Sequence, residues 1–173
     1  ASVVVSDTRT AEQLAGECAE FPNVEFVLGG HPDSLLDGVD LLCLSGGVPL
    51  DLPIIEAAVM RRIPLSNDAE LFMQRCPAPV IGITGSAGKT TTTTLTGQII
   101  KRAGVTTWVG GNIGDVLLDV LDQIERNHCV VIELSSFQLD IMSTSPQTAA
   151  VLNITPNHLD RHGTMENYIR AKA

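Results

Sequence analysis

Basic residues are scarce in this chain, and their scarcity argues against two classes of partner. The 173 residues include 11 Lys and Arg against 20 Asp and Glu, for a net charge of −9. A nucleic-acid surface needs a basic stripe, and an anionic membrane also attracts Lys and Arg, so we expect neither partner. No apolar run approaches the roughly 20 residues of a membrane-spanning helix, and the first residues lack the basic region of a signal peptide. We therefore expect a cytoplasmic protein.

Cysteine pairs are also missing. The four cysteines, Cys18, Cys43, Cys76 and Cys129, are scattered and form no C-x-x-C motif. That spacing excludes a disulfide scaffold or a zinc ribbon and favours free thiols in a reducing compartment. Apolar residues make up 44% of the chain, which is enough for a buried core.

Apolar runs alternate with helical patterns along the whole chain, which predicts an α/β protein with parallel sheets. The predicted strands are residues 3–5, 24–28, 39–44, 63–65, 80–84, 106–109, 129–133 and 148–153. The predicted helices are residues 11–20, 52–62, 68–75, 89–103 and 115–125 and one that begins near 164, preceded by a loop over 154–163.

A change of composition near residue 77 predicts a domain boundary. Two prolines in Cys76-Pro77-Ala78-Pro79 disfavour a helix, and the net charge is −8 before Pro79 but −1 from Pro79 onwards. We predict one domain over residues 1–76 and another over 77–173. The alternative is an ordinary loop inside a single domain.

The strongest motif joins a predicted strand to a predicted helix. It reads Gly82-Ile83-Thr84-Gly85-Ser86-Ala87-Gly88-Lys89-Thr90-Thr91 and is close to the phosphate-binding pattern G-x-x-x-x-G-K-[ST], with Ile83 where the first Gly belongs. Backbone N–H groups of such a loop surround a phosphate at a helix N-terminus. Lys89 would then contact the β- and γ-phosphates, and the Thr90 hydroxyl would bind Mg²⁺.

Polar residues follow three other predicted strands of this second domain. They are Asn112 in Gly110-Gly111-Asn112-Ile113-Gly114, Glu133 before Leu134-Ser135-Ser136, and the loop that holds His158, Asp160, Arg161 and His162. The carboxyl ends of parallel strands face the ligand crevice, so we expect Asn112 to bind a ligand, Glu133 to meet a metal ion, and His158 and Asp160 to join a metal or substrate site. The alternatives are a glycine turn with an Asn cap, a Glu that caps a turn, and a solvated polar loop.

The first domain has two weaker signals of the same kind. Asp7-Thr8-Arg9 follows one predicted strand and Ser45-Gly46-Gly47 another. An acidic residue at a strand end often binds a ribose hydroxyl, and an arginine can bind a diphosphate. A surface ion pair and a plain glycine turn explain these residues equally well.

Taken together, the ordered motifs resemble those of the Mur ligases. Thr84-Gly85-Ser86-Ala87-Gly88-Lys89-Thr90-Thr91, Gly110-Gly111-Asn112-Ile113-Gly114, Glu133-Leu134-Ser135-Ser136-Phe137-Gln138-Leu139 and Asn153-Ile154-Thr155-Pro156-Asn157-His158-Leu159-Asp160-Arg161-His162 have the order and spacing of that family. The resemblance implies a Rossmann-like domain for a uridine nucleotide followed by a P-loop ATPase domain. It also implies that the first strand and turn of the former, the last part of the latter and a C-terminal domain are missing.

The resemblance further implies an ATP- and Mg²⁺-dependent ligase. Residues 135–139 and 7–9 are most similar to the member that joins D-glutamate to UDP-N-acetylmuramoyl-L-alanine through an acyl phosphate. Catalysis would fall to Lys89, His158 and Lys172. The implied ATP-binding residues are Gly85, Ser86, Ala87, Gly88, Lys89, Thr90 and Thr91. The implied substrate-binding residues are Asp7, Thr8, Arg9, Ser45, Gly46, Gly47, Asn112, Ser135 and His158. The implied metal ligands are Thr90, Glu133, His158 and, if it is carbamylated, Lys172.

Lys172 matches a carbamylated lysine of this family. A neutral amine can capture CO₂ and become an anionic metal ligand, which requires surroundings that lower the pKa of the lysine. Because the chain ends one residue later, we expect those surroundings to be absent and Lys172 to be unmodified.

Three alternatives stay open at this point. The protein could be a sister ligase, such as one adding another amino acid or a folylpolyglutamate synthase. It could be a P-loop ATPase without a ligase step. The chain alone could also be only a binding module without catalytic activity. We expect this of the chain by itself, and we expect the protein to be a monomer.

Overall fold

The computed structural model describes residues 2–114 and 116–173, which divide into two compact units. The first comprises the described residues up to Leu42 together with Leu50–Leu65, and the second comprises Cys43–Pro49 and Ser66–Ala173. The strands are β1 Val4–Asp7, β2 Glu25–Leu28, β3 Leu42–Cys43, β4 Leu65–Ser66, β5 Val80–Thr84, β6 Thr107–Gly111, β7 Cys129–Glu133 and β8 Thr148–Val151. The helices are α1 Ala15–Glu20, α2 Pro53–Met60, α3 Asp68–Arg75, α4 Lys89–Arg102, α5 Ser136–Leu139, α6 Leu159–His162 and α7 Met165–Lys172, with 3-10 helices at Asp33–Leu36 and Leu117–Gln123.

In the first unit, strands β1 and β2 pair in parallel, with Asp7 opposite Leu28. Helix α2 begins at Pro53, whose missing N–H costs nothing in a first turn. The helix buries Ile54, Ile55 and Ala58. The short strands β3 and β4 form a separate two-stranded sheet that is not confined to the first unit, since Cys43 and Ser66 belong to the second.

The second unit is built on a four-stranded parallel sheet in the order β6-β7-β5-β8. Strand β7 is central, and Val130, Val131 and Ile132 are at most 1% exposed, as expected for a strand covered on both faces. Helix α3 packs on the same core through Phe72, which is 1% exposed. The sheet therefore presents the ends of β5, β6, β7 and β8 at one edge.

Two local features fix the helices next to that edge. Asn67 caps helix α3 by accepting a hydrogen bond from the N–H of Glu70 at 2.8 Å. Gly88 precedes helix α4 with a φ of +81°, a left-handed conformation that a residue with a side chain adopts only with strain. The glycine therefore allows the loop to turn directly into the helix.

The fold class predicted from the sequence is confirmed, since both units contain parallel strands connected by helices. Strand β8 is two residues shorter than predicted, because after Val151 the backbone turns to hydrogen-bond the loop that follows β5. Helix α1 begins at Ala15 instead of residue 11. The predicted loop over 154–163 contains the short helix α6.

The predicted helix over residues 115–125 is wrong in type. The structure has a 3-10 helix at Leu117–Gln123, and residue 115 lies outside the described part of the chain. Its turns close between residues three apart, from the N–H of Asp119 to the carbonyl of Val116 and from Ile124 to Leu121. Leu117 and Ile124, at its two ends, are both buried in the core.

The described residues include no helix that is long and apolar enough to cross a membrane. The compact units do not meet at the predicted boundary between residues 76 and 77, because helix α3 belongs to the second unit. The assignment of two functional domains stays a prediction.

Candidate active site

Residues 85–91, here called the phosphate loop, follow β5 at the sheet edge and include the first three residues of helix α4. Gly85 has a φ of +150° and Gly88 one of +81°, so the backbone curls tightly before Lys89 opens the helix. The partial positive charge of this helix N-terminus attracts phosphate. Lys89 and Thr90 lie in the first turn of the helix and Thr91 follows them on its exposed side.

Asn153, just beyond β8, holds the phosphate loop from the adjacent strand. Its side chain accepts a hydrogen bond from the N–H of Ala87 at 3.0 Å and donates one to the carbonyl of Ala87 at 2.9 Å. Its backbone carbonyl accepts a hydrogen bond from the N–H of Ser86 at 3.0 Å. This role of Asn153 was not predicted, because the apolar pattern placed Asn153 at the end of a predicted strand, whereas β8 ends at Val151.

Glu133 and its neighbours form the polar centre of the site. The side chain of Glu133 is 1% exposed at the end of β7. One carboxylate oxygen accepts a hydrogen bond from the Thr90 hydroxyl at 2.9 Å, and the other accepts one from the Asn112 amide at 3.0 Å. The structure therefore brings together three residues that the sequence placed at separate strand ends.

This centre fits a magnesium ion in its chemistry. The hydroxyl of Thr90 and the carboxylate of Glu133 are both oxygen ligands, which Mg²⁺ prefers, and they lie beside the phosphate loop. A buried carboxylate is costly unless a cation or hydrogen bonds compensate its charge. The described residues contain no group of three His, Cys, Asp or Glu that could hold a metal alone, so phosphate oxygens and water would complete such a site.

Lys172 lies in the same region, at the end of helix α7. It is 6% exposed, and its Nζ donates a hydrogen bond to the Thr84 hydroxyl at 3.0 Å. Burial, and secondarily the positive charge of Lys89, lower the pKa of Lys172 to about 8. The expectation that the surroundings needed for a low pKa would be absent is wrong, because the described residues supply them. Whether Lys172 is modified stays a prediction.

Tyr168 connects Lys172 to the phosphate loop. The ring of Tyr168 is fully buried and lies 5.0 Å from the Nζ of Lys172. Its hydroxyl is hydrogen-bonded to the Ser86 hydroxyl at 2.9 Å, and the latter also bonds the backbone of Thr155. Nothing in the sequence pattern distinguished Tyr168 from an ordinary core residue.

His158 lies in an aromatic cluster made with residues that follow β7. Its backbone is left-handed, with a φ of 54°, and its ring meets that of Phe137 edge-on at 5.0 Å. His162 stacks on Phe137 at 5.4 Å and is hydrogen-bonded to the Ser136 hydroxyl at 2.9 Å. Burial lowers the pKa of His162. Among the described residues, no hydrogen bond joins His158 to Thr90 or Glu133, so the predicted metal role of His158 stays a prediction.

Ser135 caps the short helix α5 in front of this cluster. Its hydroxyl accepts a hydrogen bond from the N–H of Gln138 at 3.2 Å, and the Gln138 side chain accepts one from the N–H of Ser135 at 3.0 Å. This reciprocal capping box fixes the turn that carries Ser135.

The predicted diphosphate turn Ser45-Gly46-Gly47 belongs to the second unit. The Arg161 guanidinium donates a hydrogen bond to the carbonyl of Gly47 at 2.7 Å, and it lies 5.1 Å from the Phe137 ring. The turn and the aromatic cluster are therefore joined by one side chain. Asp160 is exposed on helix α6 next to it.

In the first unit, the predicted Asp7-Thr8-Arg9 site lies where β1 ends. Asp7 accepts hydrogen bonds from the backbone N–H of Arg9 at 2.8 Å and from its guanidinium at 3.1 and 2.8 Å. These bonds lower the pKa of Asp7 to about 2, while Thr8 is exposed between the two residues. His31 was not among the predicted site residues; it follows the parallel strand β2 and is hydrogen-bonded to the Ser6 hydroxyl at 2.8 Å.

Comparisons with known proteins identify the family to which the chain belongs. The family described as Mur ligase middle domain matches residues 83–173, and the chain belongs to the Mur ligase family. The chain is 49% identical to the UDP-N-acetylmuramoylalanine–D-glutamate ligase of Symbiobacterium thermophilum, over 98% of this chain and 38% of that protein. It is 46% identical to the ligase of the same name from Pelotomaculum thermopropionicum, over 100% of this chain and 39% of that protein.

Solved structures show the same fold. One is the UDP-N-acetylmuramate:L-alanyl-gamma-D-glutamyl-meso-diaminopimelate ligase from Neisseria meningitides, with a TM-score of 0.58 and 18% identity over 98% of this chain and 59% of that one. Another is the UDP-N-acetylmuramate-alanine ligase from Thermotoga maritima, with a TM-score of 0.50 and 25% identity over 98% of this chain and 40% of that one. The chain spans less than two fifths of the length of the curated relatives described above.

Proposed function

We propose that the protein containing this chain is an ATP-dependent ligase that joins D-glutamate to UDP-N-acetylmuramoyl-L-alanine in the cytoplasm, and that it acts as a monomer. The observation that carries the proposal is the hydrogen bond between Thr90, at the end of the phosphate loop, and the buried Glu133. The names of relatives at 41–49% identity support the choice of substrate.

The proposed reaction has two steps. The L-alanine carboxylate attacks the γ-phosphate of ATP, giving an acyl phosphate and ADP. The amine of D-glutamate then attacks the acyl carbon, and phosphate leaves. Negative charge accumulates among oxygen atoms in both steps, so cationic groups and N–H donors stabilise the transition states.

Individual residues have distinct roles in this proposal. Lys89 and the N–H groups of residues 85–91 bind the ATP phosphates, with Asn153 fixing the loop that presents them. Thr90 and Glu133 would hold Mg²⁺, with His158 and a carbamylated Lys172 at a second metal position. The ion supplies charge neutralisation for the phosphates. Asn112, Ser135 and His158 face the muramoyl substrate.

We also propose that residues 1–76 bind the uridine nucleotide and that residues 77–173 belong to the ATPase domain. Asp7, Thr8, Arg9, Ser45, Gly46 and Gly47 would contact the uridine diphosphate. The pairing of Arg9 with Asp7 supports this role, since it holds the guanidinium beside the end of β1. Residues outside this chain would complete the D-glutamate site.

The test is ADP release by the full-length protein with ATP, Mg²⁺, UDP-N-acetylmuramoyl-L-alanine and a panel of amino acids. We expect turnover with D-glutamate alone. Lys89→Ala should lower kcat at least about a hundredfold, whereas the matched variant Lys101→Ala, exposed near the end of the same helix, should retain it. Turnover with a different amino acid would indicate a sister ligase. ADP release that does not depend on the muramoyl nucleotide would refute the ligase proposal.

A further inference from the structure

Glu70 is a buried carboxylate that the proposed reaction does not use. It lies on helix α3, outside the residues matched by the family, and is 3% exposed. No ion pair to Glu70 exists within the described part of the chain. A buried charge without a cation needs strong hydrogen bonds.

Those hydrogen bonds come mainly from two consecutive residues more than 70 positions away. The backbone N–H groups of Ser143 and Thr144 both donate to one oxygen of Glu70 at 3.1 Å. The hydroxyls of Ser143 and Thr144 donate to the other oxygen at 2.7 and 2.9 Å, and the Gln74 amide adds a bond of 2.8 Å. Burial alone would raise the pKa of Glu70, but these bonds outweigh it and lower the pKa. We call Glu70, Ser143 and Thr144 the α3 clamp.

The α3 clamp holds the far end of the segment that carries Ser135. From Ser135 to Met142 the backbone runs through consecutive turn hydrogen bonds, so the segment forms one short rigid piece. The residue that caps helix α3 also holds the middle of the segment, because the Asn67 amide donates a hydrogen bond to the carbonyl of Gln138 at 2.9 Å. The segment is thus fixed by Glu133 before it, by Asn67 at its centre and by Glu70 after it.

The same segment supports the His158 loop. Phe137 packs against the rings of His158 and His162 and against the Arg161 guanidinium, and Ser136 is hydrogen-bonded to His162. A displacement of residues 135–142 would therefore move Ser135 and His158 together. The phosphate loop is held by Asn153, through two bonds to Ala87, and by Tyr168, whose ring also lies 5.3 Å from that of His162.

We infer that Glu70 is a positioning residue for the muramoyl-substrate side of the site: through Ser143 and Thr144 it sets the position of Ser135 and, by way of Phe137, that of His158. This inference rests on the proposed function. It predicts a larger effect on the muramoyl side than on the ATP side, because the bonds from Asn153 to the phosphate loop do not involve residues 135–142.

The experiment compares Glu70→Ala, Glu70→Gln and Glu125→Gln in the full-length protein. We expect Glu70→Ala to raise the KM for UDP-N-acetylmuramoyl-L-alanine about tenfold or more, while the KM for ATP changes less than about twofold. Glu70→Gln should restore most of the loss, because its amide oxygen still accepts the two N–H bonds and the hydroxyls can turn to accept from its NH₂ group. Glu125, exposed and without a side-chain partner among the described residues, is the matched control.

Amide hydrogen exchange supplies a second readout that does not depend on activity. In Glu70→Ala, exchange should accelerate about tenfold or more in residues 135–144 and 158–162 but not in residues 85–91. If Glu70→Ala does not fold, Thr144→Val, which removes one hydroxyl bond, should give the same pattern with smaller changes. Equal rises in both KM values, or faster exchange spread over the whole second unit, would refute the inference. If the wild-type protein does not use the muramoyl nucleotide, the proposed function fails, and the exchange pattern alone decides whether Glu70 positions this segment.

Discussion

The buried side chain of Glu133, at the end of β7, holds two other residues of the candidate site in place. Glu133 accepts hydrogen bonds from Thr90, in the first turn of helix α4, and from Asn112, just after β6. Its backbone carbonyl also accepts a hydrogen bond from the N–H of Asn112 at 2.9 Å. One residue thus fixes both the hydroxyl that would bind a metal and the amide that would face substrate.

Changing Glu133 to Gln tests this role of the charge. The Gln oxygen can still accept from the Thr90 hydroxyl, and its NH₂ group can donate to Asn112 once the Asn112 amide turns its oxygen inward. We therefore expect the local geometry and metal-free ATP binding to persist. The loss of the negative charge should lower Mg²⁺-dependent ADP release by at least about a hundredfold. Steady-state kinetics over a range of Mg²⁺ concentrations, with the exposed Glu166→Gln as control, would measure it. Activity within a few-fold of wild type would contradict the metal assignment.

The capture of CO₂ by Lys172 should increase with pH. Its pKa of about 8 lies below the usual 10.5, so the fraction of neutral amine rises steeply between pH 7 and 9. Only the neutral amine captures CO₂. At a fixed concentration of dissolved ¹³CO₂ we expect a carbamate carbon signal that grows over this range, disappears in Lys172→Arg and persists in Lys101→Arg. A signal absent at pH 9 would show that the site does not accept CO₂.

The close approach of strands β6 and β7 depends on a glycine. Gly111 has a φ of +102°, and a Cβ there would lie 2.4 Å from the carbonyl oxygen of Glu133 and 2.6 Å from a side-chain carbon of Ile132. Both atoms belong to β7, the strand that carries Glu133. Strand β7 therefore cannot move away from a Cβ at residue 111 without displacing the carboxylate of the site.

We therefore expect Gly111→Ala to destabilise the fold by about 2–4 kcal/mol, combining backbone strain with overpacking. Gly104→Ala provides a matched control, because Gly104 also has a positive φ, +88°, but no atom lies within 4 Å of its Cβ position. That variant should cost only the backbone strain of about 1–2 kcal/mol. Urea unfolding would measure the free energy of unfolding of both variants. Equal losses would show that the close contact with β7 adds nothing to the cost of backbone strain.

The sequence predicted those parts of the site that depend on a local pattern. Glycines before Lys89 and polar residues after apolar strands indicated the phosphate loop, Asn112 and Glu133, because parallel strands must end at one edge. The supports of the site were not predictable in this way. Tyr168 meets Ser86 across 82 positions and Glu70 meets Ser143 across 73, and neither residue lies in a motif. Such contacts depend on packing, which periodicity does not encode.

The second compact unit begins at a different place in the chain from the domain boundary that the sequence predicts. The prolines at residues 77 and 79 and the change in net charge predicted a boundary after Cys76. Helix α3 lies before that point, yet Ala69, Phe72 and Met73 are buried in the same core as Val80 and Val130. The clamp formed by Glu70 joins helix α3 to the second unit as well.

Two truncated chains test whether the second unit begins before helix α3 or at the prolines. Ser66–Ala173 retains helix α3, whereas residues 77–173 lose it, and removing a buried Phe alone costs about 3–5 kcal/mol. That is a large share of the roughly 5–15 kcal/mol that stabilises a typical domain. We expect the longer chain to unfold cooperatively in urea, followed by the fluorescence of the single tryptophan, Trp108, and the shorter one to show a broad transition or none. Two transitions of equal midpoint and steepness would instead place the structural boundary at the prolines, because helix α3 would then contribute nothing to the stability of the sheet it covers.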